Sequence, residues 1–155
     1  MKKEEKNMTD YNLIQKQAKE LTKDNKWDIT LYANISALLF ENMENVNWAG
    51  FYLLRDGELW LGPFQGKIAC TRIPVGKGVC GTAVKEDRIV RVEDVHEFPG
   101  HIACDSSSES EIVLPIHNDG KTIGVLDIDS TIKGRFNEED EEGLKHIIEI
   151  IEGAV

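Results

Sequence analysis

The segment that most restricts the fold runs from Glu109 to Asp129 and reads Glu-Ser-Glu-Ile-Val-Leu-Pro-Ile-His-Asn-Asp-Gly-Lys-Thr-Ile-Gly-Val-Leu-Asp-Ile-Asp. Apolar residues alternate on both sides of Asn118-Asp119-Gly120, which predicts two antiparallel strands joined by a tight turn. Strand side chains point alternately to opposite faces, so the turn length decides which residues share a face. A two-residue Asp119-Gly120 turn would pair Glu111 with Ile128 and separate Glu111 from Asp127. A three-residue Asn118-Asp119-Gly120 loop, a type I turn with a bulge at the glycine, would pair Glu111 with Asp127. It puts Ile112, Leu114, Ile116, Leu126 and Ile128 on a core side. Glu111, Val113, Pro115, Ile123, Val125, Asp127 and Asp129 then form a polar-tipped side. This division is the cleaner one, and the three-residue loop is expected.

The preceding chain supplies partners for such a hairpin. Trp48-Ala-Gly-Phe-Tyr-Leu-Leu-Arg55 and Glu58-Leu-Trp-Leu-Gly-Pro-Phe64 flank Asp56-Gly57 and read as a second hairpin, with Trp48, Gly50 and Tyr52 on one face. Ahead of it, Tyr11, Ile14, Ala18 and Leu21 recur at helical spacing from Thr9 onward. Asp24-Asn25 breaks that helix, and Asp28 is expected to cap a second one with Leu31, Ile35, Leu38, Leu39 and Met43 on its apolar face. Residues 66–74 suggest a connecting strand that carries Cys70. Gly76-Lys-Gly-Val-Cys-Gly-Thr-Ala-Val84 reads as a loop entering a short helix, and Arg88–Val92 as a brief strand. Residues 93–110 lack periodicity and form a long loop, a common place for function. Asn137 caps a last helix, with Asp140 completing a partial capping box and Leu144, Ile147, Ile148 and Ile151 as its stripe. The order predicts an α+β fold: a central antiparallel sheet, helices over one face and a ligand pocket on the other. Residues 1–8 read as a flexible tail and 9–155 as one domain.

At 155 residues the chain can bury roughly 70% of its unfolded surface in one core without disulfide staples. A formal charge of −10 disfavours nucleic acid and anionic membrane. Apolar runs fall short of the ~20 residues of a membrane span, and the N-terminus lacks the apolar stretch of a signal peptide. A cytoplasmic protein with reduced thiols is expected, which suits an odd number of cysteines.

Those cysteines, Cys70, Cys80 and Cys104, carry the chemistry worth weighing. An unperturbed thiol is only about 3% ionised at neutral pH, so a reactive one needs help. Cys104 sits in the long loop near His101 and Ser106–Ser108, although Asp105 beside it opposes ionisation. Cys80 falls in the first turn of the short helix, where the helix dipole favours thiolate. Cys70 has neither feature. The plain alternative is three buried small hydrophobes. Zinc is a weaker one, since no Cys-x-x-Cys or regular Cys/His spacing exists. Glycines 76, 78 and 81 lack the Lys-Ser/Thr ending of a phosphate loop. Glu111, Asp127 and Asp129 around one pocket can hold an ammonium group, supply a proton, or both. Trp48 and Tyr52 can wall that pocket, or simply be core.

Trp48-Ala-Gly-Phe-Tyr52, Ile68-Ala-Cys70, Gly76-Lys-Gly-Val-Cys-Gly81, Pro99-Gly-His-Ile-Ala-Cys104-Asp, Ser110-Glu-Ile-Val-Leu-Pro115 and Gly124-Val-Leu-Asp-Ile-Asp129 together resemble the free methionine-R-sulfoxide reductases, a GAF-domain family. The resemblance covers about residues 10–152 and includes all three cysteines at the family's spacing. It implies a GAF-like domain that reduces free methionine (R)-sulfoxide, the epimer preference resting wholly on the resemblance. By position, Cys104 is expected to attack the sulfoxide sulfur and Cys70 to resolve the sulfenic acid as a disulfide. Cys80 matches a third cysteine that takes part in some members. Glu111, Asp127 and Asp129 match the pocket carboxylates, Trp48 matches the shelter of the substrate methyl, and Tyr52 joins that wall. Backbone amides around residues 103–107 are expected to receive the substrate carboxylate. Thioredoxin is the implied reductant, with no metal or organic cofactor, and a homodimer is allowed for. Two other readings stay open: a non-catalytic GAF module that binds a small ligand, and a thiol sensor of oxidants.

Overall fold

The computed structural model describes residues 9–101 and 106–155. The expected N-terminal tail, residues 1–8, and the expected nucleophile Cys104 lie outside them. In order the elements are α1 (Tyr11–Lys23), α2 (Asp28–Asn42), β1 (Val46–Arg55), β2 (Glu58–Gly66), β3 (Arg72–Pro74), α3 (Gly78–Glu86), β4 (Val90–Val92), β5 (Ser110–Asn118), β6 (Lys121–Ser130) and α4 (Glu138–Glu152). A single 3₁₀ turn, Val95–Glu97, interrupts the long loop before β5. The strands form one six-stranded sheet in the order β3-β2-β1-β6-β5-β4, antiparallel throughout.

The helix ends follow local chemistry. Asp10 caps α1 by accepting from the Leu13 amide at 3.1 Å. At α4, Asn137 accepts from the Asp140 amide and Asp140 accepts from the Asn137 amide, both at 3.0 Å, which is a full capping box. Asp28 is not a cap. It is the first residue of α2, behind Trp27, where its charge can still favour the helix dipole.

Two apolar layers pack against the sheet. On one face Ala49, Phe51, Ile112, Leu114, Ile116, Leu126 and Ile128 meet α2 and α4, with α1 lying chiefly against those two helices rather than on the strands. On the other face Trp48, Tyr52, Leu59, Ile73, Val113 and Val125 form a second cluster with Val79, Cys80 and Ala83 of α3. The long helices therefore cover one face as expected, while the short α3 roofs part of the other. It packs against β5 and β6.

The β5–β6 turn differs from the expected one. Asp119 and Gly120, at φ +52° and +74°, form a two-residue turn that pairs Asn118 with Lys121. The ladder then slips: His117 pairs with Thr122 but Ile116 pairs with Gly124, leaving Ile123 as the extra residue of a bulge. Glu111 consequently faces Asp129, not Asp127, and Val113 faces Asp127. The bulge restores the parity that the shorter turn removes, so the carboxylates keep a common face. Ile123 itself packs against the helix-side cluster instead of joining the polar-tipped side. Gly124 sits where a Cβ would come within 2.5 Å of the Tyr52 carbonyl oxygen, so the close approach of β1 to β6 needs glycine here.

Cys70 lies ahead of β3 rather than within a strand. Among the described residues no helix is long and apolar enough to cross a membrane.

Candidate active site

Three neighbouring strands set the site. Ladder pairing across β1, β6 and β5 produces one row of Trp48, Asp129 and Glu111, and the next row of Gly50, Asp127 and Val113. Cys80 comes down from α3 onto these rows. Together with Tyr52, Ile68, Ala69, Ile73, Lys77, His101 and Ser108 they enclose a cleft of about 530 Å³, counted out to its open mouth.

The carboxyl groups are deeply placed: Glu111 is 8% and Asp127 5% exposed. Burial pushes Glu111 well above the usual carboxylate range, and the charges of Asp127 and Asp129 push it further. Burial also raises Asp127, but hydrogen bonds from Glu111, Cys80 and Asp129 hold it back. Carboxyls this close cannot all ionise together, so the group holds at least one proton, and Glu111 is the carboxyl most strongly raised. Oδ1 of Asp127 is buried and has no hydrogen-bond partner among the described residues. A buried acceptor in that state is expensive unless a donor arrives from outside the protein.

The aromatic wall is tied to the cysteine-bearing connection. Trp48 stacks on Phe64 at 5.1 Å and on Tyr52 at 5.9 Å between ring centres. Its indole N–H donates to the Lys67 carbonyl at 3.1 Å, and the Tyr52 hydroxyl donates to the Cys70 carbonyl at 2.8 Å. Burial foremost, with the charge of Asp127 behind it, keeps that phenol protonated. Both rings thus wall the pocket and also pin residues 67–70 to it. Cys70 is disulfide-bonded, whereas Cys80 is a free, buried thiol.

Cys80 contradicts the thiolate expected from its helical position. It is the third residue of α3, yet burial, followed by Asp127, Glu111 and Asp129, raises its thiol well above the ordinary range. A helix terminus contributes about 0.3–1 kcal/mol, less than a tenfold change in thiol acidity, and burial among acids exceeds that.

The structure thus brings Trp48, Tyr52, Cys80, Glu111, Asp127 and Asp129 into one cleft, with Cys70 beside its wall. Cys104 and amides 103–105 of the expected carboxylate subsite lie outside the described residues. Lys77, His101 and Ser108 were not assigned to the pocket from sequence. His101 is held below the ordinary imidazole value by burial and by His96, with Asp127 pulling the other way. Its one sequence signal was its place in the long unpatterned loop, and that of Lys77 was the Gly-Lys-Gly run before α3.

Comparison with known proteins supplies independent findings. The GAF domain family matches residues 29–155. The free methionine-R-sulfoxide reductase of Escherichia coli (strain K12) is 63% identical over 120 residues, spanning 77% of this chain and 73% of that one. The structure of fRMsr of Staphylococcus aureus in complex with substrate superposes with a TM-score of 0.91 at 55% identity, covering 96% of this chain and 97% of that chain. The free methionine-R-sulfoxide reductase from Neisseria meningitidis, in complex with its substrate, gives 0.90 at 43% identity over 93% and 87% of the two chains.

Proposed function

We propose, from the premise that this chain belongs to the GAF-domain family of free methionine-R-sulfoxide reductases, that its cleft reduces free L-methionine (R)-sulfoxide to methionine through thiol chemistry recycled by thioredoxin. The observation that carries this reading is the buried Oδ1 of Asp127, without a hydrogen-bond partner among the described residues, beside Glu111, whose pKa burial and its acidic neighbours raise. A free amino acid brings an ammonium group for the anion, and a sulfoxide brings an oxygen that must accept a proton before it can leave.

In this reading the substrate methyl rests against Trp48, and the ammonium pairs with Asp127 and Asp129. Glu111 gives its proton to the sulfoxide oxygen, which makes the sulfur electrophilic. The Cys104 thiolate attacks, the S–O oxygen passes to Cys104 as a sulfenic acid, and methionine leaves with the electron pair. The proton that left the Cys104 thiol restores Glu111. The Cys70 thiol then condenses with the sulfenic acid, releasing water and forming a disulfide. The bonded state of Cys70 and the free state of Cys80 agree with that division of labour. An external dithiol of the thioredoxin type reduces the bond by exchange, and a reducing cytoplasm suits such a cycle. No metal or organic cofactor enters any step.

Quenched-flow assays with two variants test the sequence of events. Cys104→Ser is expected to release no methionine, because a serine hydroxyl is not ionised at neutral pH. Cys70→Ser is expected to release about one methionine per chain and then stall with thioredoxin, since attack needs only Cys104. Turnover by Cys104→Ser near the wild-type rate, or loss of the single burst in Cys70→Ser, contradicts the assignment.

Tyr52→Phe separates wall from tether. It keeps the ring and loses the 2.8 Å bond to the Cys70 carbonyl. Stability should fall by about 1 kcal/mol in urea unfolding. The first methionine should appear at the normal rate, while steady-state turnover falls several-fold because the resolving segment is less well positioned.

A further inference from the structure

The acids of the cleft do not stand alone, because a thiol is set among them. Cys80 of α3, Glu111 of β5 and Asp127 of β6 each bring one donor atom within 4.8 Å of the other two. Sγ of Cys80 lies 3.9 Å from Oε2 of Glu111. The three residues are 3%, 8% and 5% exposed, yet all of them line a cleft that opens to solvent. Oδ1 of Asp127 has no hydrogen-bond partner among the described residues, so this buried acceptor calls for a donor or a cation from outside.

An ammonium group is held by carboxylates and has no use for a thiol. A thiol beside two carboxyls is instead the donor set of a thiophilic divalent cation. Thiolate selects zinc, whereas magnesium and calcium take oxygen. The spacing suits zinc as well. With Zn–S at about 2.3 Å and Zn–O at about 2.1 Å, a sulfur and an oxygen 3.9 Å apart subtend about 125° at the metal, close to tetrahedral. The donors are also held in place before any ion arrives. Glu111 and Asp127 lie diagonally across the β5–β6 ladder. On the opposite side α3 meets the end of β3 backbone to backbone, since a Cβ on Gly81 would lie 2.5 Å from the Pro74 carbonyl oxygen. Among the described residues Lys77 is the one ammonium on the cleft wall, and it is exposed.

We infer that Cys80, Glu111 and Asp127 form a site for one Zn²⁺ ion, which enters the cleft in place of the substrate ammonium and blocks it. Asp129 and His101, on the same wall, or water complete the coordination. An Sγ–Zn bond replaces Sγ–H, the thiol proton passes to solvent, and nothing is oxidised or reduced. The ion is an inhibitor and takes no part in the reaction. That it excludes substrate rests on the reading of the cleft as a sulfoxide reductase site; that it binds does not.

The experiment uses the full chain with Cys70 in its disulfide and no reductant present, so that Cys80 is the free thiol. Cd²⁺ stands in for Zn²⁺ because its thiolate complexes absorb strongly in the ultraviolet. Wild type is expected to bind one Cd²⁺ per chain with a thiolate charge-transfer band. Zn²⁺ or excess free methionine (R)-sulfoxide should remove the band, and Mg²⁺ and Ca²⁺ in about a hundredfold excess should not. Cys80→Ser should lose the band. Asp127→Asn should keep it but bind Zn²⁺ at least roughly tenfold more weakly by calorimetry, as loss of a ligand costs no less than loss of an outer-shell partner. Absence of the band in wild type, its survival in Cys80→Ser, its removal by Mg²⁺ or Ca²⁺, or unchanged Zn²⁺ affinity in Asp127→Asn overturns the inference. If circular dichroism shows that Cys80→Ser does not fold, the wild-type band and Asp127→Asn decide: a band with weakened Zn²⁺ binding upholds the site, and either one missing overturns it. Turnover by metal-free wild type reports separately on the reductase reading. In an active protein, a band that survives saturating methionine sulfoxide overturns the inference. In an inactive one the reductase reading falls, and the cadmium band with its response to the variants decides on the ion alone.

Discussion

Glu111→Gln is expected to lose turnover by about a hundredfold or more while making the fold more resistant to alkali. Glutamine copies the shape of a protonated carboxyl and can still donate to Asp127, but it cannot pass a proton to a sulfoxide oxygen. The stability effect follows from the same raised pKa. In the unfolded chain Glu111 ionises near its ordinary value of about 4.3. In the fold, burial and the charges of Asp127 and Asp129 hold the proton to higher pH. The wild-type fold is therefore at full advantage below the unfolded pKa and loses stability as pH rises through the folded one. The glutamine variant should therefore be the more stable of the two at pH 9, with the difference shrinking as pH falls toward 4. Thermal unfolding at the two pH values, set beside turnover, checks both halves. A constant difference in Tm across that range would remove Glu111 as the proton holder.

N-acetylation of the substrate is the second large effect. The modification leaves the sulfoxide intact and removes only the ammonium. Asp127 would then stay buried with no counter-charge, and its unpartnered Oδ1 would meet a neutral amide and an acetyl group. Leaving a buried charge unpaired costs several kcal/mol, which corresponds to a preference for the free amino acid of roughly a hundredfold or more in kcat/KM. Sulfoxide within a peptide should fare no better, since its flanking chain must pass where Trp48 and Tyr52 close the wall. Parallel kcat/KM measurements on free, N-acetylated and tripeptide sulfoxides provide the comparison. Rates within about fivefold of one another would contradict a pocket built around an ammonium group.

Much of this site is legible in the sequence, because strand alternation is a strong code. Trp48 and Tyr52 fall on the face opposite Phe51, and Glu111, Asp127 and Asp129 fall together. The face assignment holds even though the turn length differs from the expected one. The three-residue loop and the observed two-residue turn with a bulge at Ile123 differ by one residue at each of two places, and the two changes cancel in parity. The cross-strand partner of Glu111 and the side taken by Ile123 are not legible, since a bulge inside an apolar strand leaves no mark in the hydrophobic pattern.

The unread parts share a cause of another kind. Lys77 and His101 reach the cleft from loops, where periodicity gives no direction for a side chain. The protonation state of Cys80 escapes a sequence reading because the helix dipole is visible there, whereas the acids that oppose it come from strands thirty and more residues away. Whether Asp28 or Trp27 occupies the cap of α2 depends on backbone angles that composition leaves open.

The measurement that bears most directly on the central claim is a thioredoxin-coupled assay on the separated epimers of free methionine sulfoxide, following methionine release and thioredoxin oxidation together. The account predicts steady consumption of the R epimer, one thioredoxin oxidised for each methionine formed, and no reaction with the S epimer. Release of no methionine from the R epimer, or equal rates with both, would contradict it.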